Sequence, residues 1–272
     1  MSAGIPQPSD VREDVILYVI HGSHACRAAI LMLAHKQIPY RLVTLPTGAH
    51  PMLLRARGFA GHRKPIRRVD GRAHRSLALL DRMGTVPALR CGSERVQTNH
   101  AIARWLDRVQ PEPPLFPSDP QRQAAVERAE AWGDEEFQMA ARRIVLAGGQ
   151  RGLDTLRDRA NDGRLGALLA KGERSRKINN QIAARAIFKA GGVAAEREVL
   201  DGLPAMLDEV DALIADGVLD RPELNAADFM IAPSLALIAY RLDLRPQIQA
   251  RPATTAWLER VLPEPALKGV VR

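Results

Sequence analysis

Thr85-Val86-Pro87-Ala88-Leu89 places a proline at the head of an apolar-polar alternating run, one turn after Gly84. Proline lacks an N–H and fixes φ, so the inside of a sheet normally excludes it. Here it opens a strand predicted over Val86 to Arg90. The X-Pro step leaves a cis bond open, because trans is favoured there by only about 0.5–1 kcal/mol. A cis linkage would turn the Val86 backbone outward to meet an extended ligand. Downstream, Cys91-Gly92-Ser93 reads as a tight turn and Glu94 to Gln97 as the returning hairpin strand. Asn99 is expected to cap a helix running through Ile102, Trp105 and Leu106 to Val109.

Upstream, Val15-Ile16-Leu17-Tyr18-Val19-Ile20 is a continuous apolar run, the pattern of a strand buried on both faces. His21-Gly22-Ser23 breaks it, a helix follows from about Ala25 to Lys36-Gln37, and Pro39 to Leu45 reads as a second strand. This is a β-α-β unit, which implies parallel pairing and a right-handed crossover. Residues 46 to 75 are rich in Gly, Arg and His without a sustained period, the mark of a mobile lid or a poorly patterned helical insert. Leu77 to Leu80 reads as a short helical turn.

Prolines 111, 113, 114, 117 and 120 forbid helix or inner strand between Gln110 and Pro120 and mark a linker. Beyond it, Gln121 to Leu146, Ala167 to Ala190, Glu196 to Ala215, Ala226 to Tyr240 and Ala253 to Leu262 all favour helix. No strand pattern of comparable quality intervenes. The expectation is an α/β unit followed by an all-helical one.

At 272 residues and 46% hydrophobic content, the chain can bury one large core or two ordinary ones. No window approaches the roughly 18 uninterrupted apolar residues of a membrane span, and Met1 to Arg12 lacks a signal pattern, so a cytoplasmic protein without membrane association is expected. With Cys26 and Cys91 as its only cysteines, the chain has no disulfide framework. A net charge of +8 would attract polyanions, but the positive residues are scattered among 31 acids and only 4% of residues are aromatic. No basic element with stacking side chains emerges, so no nucleic acid is expected. Zinc-type Cys/His spacing, a phosphate loop and a Ser/His/Asp arrangement are all missing from the sequence, and no metal is expected.

The order of these elements resembles the cytosolic glutathione transferase superfamily. His35-Lys36-Gln37-Ile38-Pro39-Tyr40 resembles that family's L-K-G-I-P-Y. Asp81 to Leu89 resembles N-P-x-G-K-V-P-A-L, and His100-Ala101-Ile102 to Trp105-Leu106 resembles x-A-I-x-x-Y-L. Leu115-Phe116-Pro117 resembles the L-x-P of its linker. In the helical half, Leu224-Asn225-Ala226-Ala227-Asp228-Phe229 with Ala232-Pro233 resembles S/T-x-A-D-F…A-P. The resemblance implies a thioredoxin-like N-terminal domain over 13–109, a Pro-rich linker over 110–120 and an all-helical C-terminal domain over 121–272. Independently of it, Asn225 and Asp228 have the spacing of a capping box, a folding device.

The resemblance also implies an enzyme that activates the thiol of glutathione, or of a related thiol, for conjugation to or reduction of a small apolar electrophile, with glutathione as cosubstrate, and a homodimer. It places Ser23 where a hydroxyl activates the glutathione thiol. A hydroxyl and a helix N-terminus both favour thiolate over thiol, although serine there also serves as a plain N-cap. His24, which replaces a usual proline, either donates to the thiolate or faces solvent. Cys26 lies a turn further in and reads as a buried small apolar residue, so a dithiol reductase is not expected. Val86, beside cis Pro87, would offer its backbone to the cysteinyl part of glutathione. Thr98-Asn99 stands where the family has E/Q-S: Asn99 keeps a polar cap, but Thr98 removes the acid or amide that pairs with the ligand's ammonium group. That departure motivates an alternative, a non-catalytic binding or interaction protein that kept the fold and lost the cofactor site. Arg55, Arg57, His62, Arg63, Lys64, Arg67, Arg68, Arg72, His74 and Arg75 would either cover the cleft or form a solvated insert. Trp132 to Phe137 looks like the family's helix at cleft and dimer contact, with Asp134, Glu135 and Glu136 on a solvated face.

Overall fold

Strand β1 (Val15–Val19) is buried along its whole length, because it has a strand on either side and all its residues belong to the hydrophobic core. It pairs in parallel with β2 (Arg41–Thr44), Leu17 opposite Leu42, and antiparallel with β5 (Ala88–Cys91), Leu17 opposite Leu89. Strand β6 (Glu94–Gln97) closes the sheet in the order β2-β1-β5-β6. The computed structural model describes residues 15–20, 22–46, 48–61, 68–69, 72–73, 84–151 and 193–262. Between β2 and β5 these include helix α2 (His50–Ala56) and a two-residue pair, β3 (Arg68–Val69) and β4 (Arg72–Ala73). The turn expected at Leu77 to Leu80 and the helix expected over 167 to 190 lie outside the described residues.

Helix α1 (His24–His35) connects β1 to β2 and is buried at every residue from His24 to Leu33. A helix buried on all sides must have protein all around it: α1 packs against α3 (Asn99–Val109) and against α8 (Ala226–Ile238) of the helical half. It stops where Gln37 adopts φ 53°, with the Gln37 N–H on Ala34 O at 3.0 Å and the Ile38 N–H on Leu33 O at 3.1 Å. These bonds close the orphan carbonyls of the last turn.

The helix expected over 121–146 is divided. Helix α4 (Pro120–Trp132) gives way to a π turn at Gly133–Phe137 and then to α5 (Gln138–Arg151). Gly133 passes so close to α8 that a Cβ there would lie 2.8 Å from Ile231 Cγ1. The stretch 196–215 is likewise two helices, α6 (Val193–Asp201) and α7 (Leu203–Ala215), because Gly202 and Pro204 end one and restart the next. A short α9 (Arg245–Gln249) precedes α10 (Pro252–Val261).

Helix α8 is the axis of the helical half, and all its residues are buried. Its start is the capping box read from the sequence: the Asn225 N–H donates to Asp228 Oδ2 at 2.8 Å, and Asn225 Oδ1 accepts from the Ala227 N–H at 2.9 Å. Asp228 does more than the spacing suggested, since the Asp220 N–H and the indole N–H of buried Trp257 also donate to Oδ1, at 3.1 and 2.7 Å.

Candidate active site

The sheet register gathers the site. Tyr18 lies opposite Ala88 and Ala88 opposite Gln97, so the end of β1, the start of β5 and the end of β6 share one edge. Ser23 leaves that edge from β1, Val86-Pro87 enters it before β5, and Thr98-Asn99 leaves it after β6. The Val86–Pro87 bond is cis, as the sequence allowed. Among the described residues no group accepts from the Val86 N–H. The bend is braced by the Thr85 N–H on Gln97 Oε1 at 3.0 Å and the Thr98 N–H on Pro87 O at 3.3 Å.

Ser23 is the N-cap of α1: its hydroxyl accepts from the Cys26 N–H at 3.2 Å, and the residue keeps partial exposure. Thr98, not Asn99, caps α3. It takes φ 76° and its hydroxyl accepts from the Ala101 N–H at 3.2 Å. For a β-branched residue that φ is strained. Asn99 is the first helical residue and is buried, and its amide nitrogen donates to Ala25 O at 2.9 Å and approaches Met230 Sδ at 3.9 Å. Its Oδ1 is buried with no hydrogen-bond partner among the described residues. The expectation that Asn99 caps α3 is therefore corrected: the chain turns at Thr98, one residue earlier.

The solvent-facing alternative for His24 is also overturned. The residue is 4% exposed, its ring meets the Gln138 carbonyl of α5, and Nε2 has no partner among the described residues. Burial first, and then the charge of Arg142, push its pKa well below 6.5, against a hydrogen bond with the Gln138 carbonyl. At neutral pH His24 is uncharged. Cys26 is 2% exposed, and burial pushes its thiol up to about 11, opposed by the Ser23 hydroxyl, the Ile20 backbone and Arg142. So buried and so weakly acidic a thiol is not an attacking group.

The helical half supplies groups that the sequence reading passed over. Gln138 and Arg142 of α5 lie across from α1, with Arg142 Nη2 donating to Gln138 Oε1 at 2.5 Å and Gln138 Nε2 3.8 Å from Met230 Sδ. Asp134 is half-buried rather than part of a solvated face, and burial raises its pKa against the pull of Arg142. Glu135 and Glu136 are exposed as expected. Nearby, the fully buried Glu130 is held by Arg104 at 2.9 Å and by His100 Nδ1 at 3.2 Å, which ties α3 to α4. The four-residue spacing Asp134, Gln138, Arg142 was the available signal for this wall.

No family model and no curated protein matches the sequence, but many solved structures match the fold. A GST-like protein from Pseudomonas syringae aligns over 92% of this chain and 66% of its own length, at 18% identity and TM-score 0.56. The fold is that of the glutathione transferases. A Tau class glutathione S-transferase from mango, Mangifera indica, aligns over 96% of this chain and 94% of its own at 16% identity and TM-score 0.59. A glutathione S-transferase from Methylobacterium radiotolerans, in complex with glutathione sulfonate, covers 94% of both chains at 19% identity and TM-score 0.51. The transferase fold thus comprises a thioredoxin-like N-terminal part and, among the described residues, an all-helical remainder. Of the arginine-rich segment 55–75, Arg57 bonds Leu53 O at 2.8 Å and lies over the Tyr18 ring, and most of the rest lies outside the described residues. Among the described residues no helix is long and apolar enough to cross a membrane.

Proposed function

We propose that this protein is a glutathione-transferase-like enzyme, working in the cytoplasm as a homodimer over the domain limits 13–109, 110–120 and 121–272. Val86 offers its backbone to the cysteinyl part of glutathione beside Pro87, and Ser23 receives the thiol at the positive end of α1. The observation that carries this reading is the partly exposed Ser23 at the α1 N-terminus, on the same sheet edge as a Val86 N–H that has no partner among the described residues. The fit to glutathione is good at this end. A hydroxyl hydrogen bond and the helix dipole both stabilise an anion there. The thiol proton leaves to solvent, the thiolate forms a carbon–sulfur bond with the electrophile, and the leaving group departs with the bonding pair. Positioning of the two reactants supplies the rest of the rate.

Titration of the purified protein with glutathione, paired with conjugation of a chromogenic aryl halide, tests the proposal. Binding with turnover that falls in Ser23→Ala supports it, and no heat with no turnover sinks it. A second reading is favoured by one observation: the Thr98 hydroxyl is engaged in its own helix and the Asn99 amide faces Ala25, so neither stands ready for the γ-glutamyl end. On that reading the fold serves as a binding protein, and the same titration decides.

A further inference from the structure

We propose that Gln97 is a positioning residue for the ligand edge: its side-chain amide bridges Ala60 and Thr85, where the chain leaves for and returns from residues 61–84, and so holds the Val86 N–H in place for glutathione. The inference rests on the transferase reading and deepens it by naming what orients its backbone donor. One amide makes both bonds. Gln97 Nε2 donates to Ala60 O at 2.5 Å, and Gln97 Oε1 accepts from the Thr85 N–H at 3.0 Å. Gln97 can do this because it ends β6 opposite Ala88, on the edge where the chain returns, and because Gly84 takes φ 118°. That conformation favours glycine and brings the returning chain against the amide: a Cβ at Gly84 would lie 3.5 Å from Gln97 Oε1.

The effect reaches Val86 through one rigid unit. A peptide group is planar, so the Val86 N–H turns only about the bonds that flank its plane, at Thr85 and Val86. Thr85 is 7% exposed, its N–H is held by Gln97, and its hydroxyl donates to Val86 O at 3.4 Å. Downstream, the Thr98 N–H donates to Pro87 O at 3.3 Å. The backbone is therefore braced on both sides of the Val86 N–H, which itself has no partner among the described residues. A donor already held in its bound orientation spares association the entropy of ordering it. Arg95 provides an internal control. It holds the same outgoing chain through Arg57 O at 2.8 Å and its own turn through Ser93 O at 2.7 Å, both away from Thr85.

The test is glutathione affinity by calorimetry, with KM and kcat for conjugation, in wild type, Gln97→Met, Gln97→Glu and Arg95→Ala. Gln97→Met removes both bonds at similar volume and is expected to raise Kd and KM about tenfold, as one misplaced hydrogen bond does, while kcat at saturating glutathione moves by about twofold at most. Gln97→Glu keeps an acceptor for the Thr85 N–H and should hold Kd within about threefold of wild type. Arg95→Ala loosens the outgoing chain alone and should leave Kd within about twofold. A Gln97→Met protein that binds as tightly as wild type overturns the inference. So does a loss in Gln97→Glu or Arg95→Ala as large as that in Gln97→Met, which marks a merely structural role. Should Gln97→Met fail to fold, amide hydrogen exchange of the wild type takes its place. A Thr85 N–H protected with and without glutathione, beside a Val86 N–H protected only with it, supports the inference. A Thr85 N–H that exchanges like an open-loop amide, or a Val86 N–H that gains no protection, overturns it. A wild type that binds no glutathione removes the transferase reading and this inference together, whereas the other negative outcomes, with wild-type binding intact, remove the inference alone.

Discussion

The two ends of α1 face the same kind of neighbour, the junction between the sheet and the helical half, and treat polar groups in opposite ways. At the C-terminal end, Lys36 is fully buried and its ammonium meets Asp107 Oδ1 at 2.5 Å, Gln110 O at 2.7 Å and Pro111 O at 3.1 Å. All three donors of a lysine are used. Asp107 in turn accepts from the backbone of Leu115 and Phe116, so one ion pair anchors the linker to α1 and α3. At the N-terminal end, His24 Nε2 and Asn99 Oδ1 are buried and have no partner among the described residues. Buried polar atoms without partners are costly, and in a native protein each asks for an explanation. One end has its polar groups satisfied; the other leaves two of them buried and unsatisfied near Ser23.

The contrast can be broken at several points. Lys36→Ala strands the Asp107 carboxylate and two carbonyls, and chemical denaturation should show a loss of about 3–5 kcal/mol. Glutathione affinity of the folded fraction should not change. Asp228→Ala, at the equally satisfied start of α8, should cost about 2–4 kcal/mol, more than a cap alone, since the buried Trp257 indole loses its acceptor. Ser23→Ala sharpens the contrast from the other side: about 1 kcal/mol of cap stability, but about a tenfold fall in kcat/KM for conjugation, the equivalent of one lost hydrogen bond to a charged group.

His24 gives the comparison a pH axis. Its folded pKa lies below 6.5, so well above pH 6.5 the ring is neutral in both states and its contribution is whole. As pH falls through 6.5 the unfolded chain takes up a proton that the folded one resists, and stability drops. The slope is at most about 1.4 kcal/mol per pH unit, and thermal unfolding between pH 7 and 5 should be flatter in His24→Asn. The smallest effect is at Gln37, held at φ 53°. Gln37→Gly should raise stability by about 1 kcal/mol by relieving the left-handed strain, with no change in activity.

Much of the fold was legible because it rests on local signals. The apolar run at Val15, the proline at 87 and the Asn225/Asp228 box each specify their own conformation. The site was harder to read. Asn99 looked like the cap because the sequence shows capping ability but not φ, and the turn that puts Thr98 at 76° is imposed by its pairing with Pro87. The π turn escaped notice because its cause, the approach of Gly133 to α8, joins residues nearly a hundred positions apart. For the same reason the sequence left a solvent-facing His24 open: the Gln138 carbonyl that meets its ring is a contact only the folded chain creates.

Because α1 is enclosed on every side, it belongs as much to the helical half as to the sheet. Neither half can hinge away without uncovering His24 through Leu33. Denaturation should therefore collapse both halves in a single cooperative step with one midpoint.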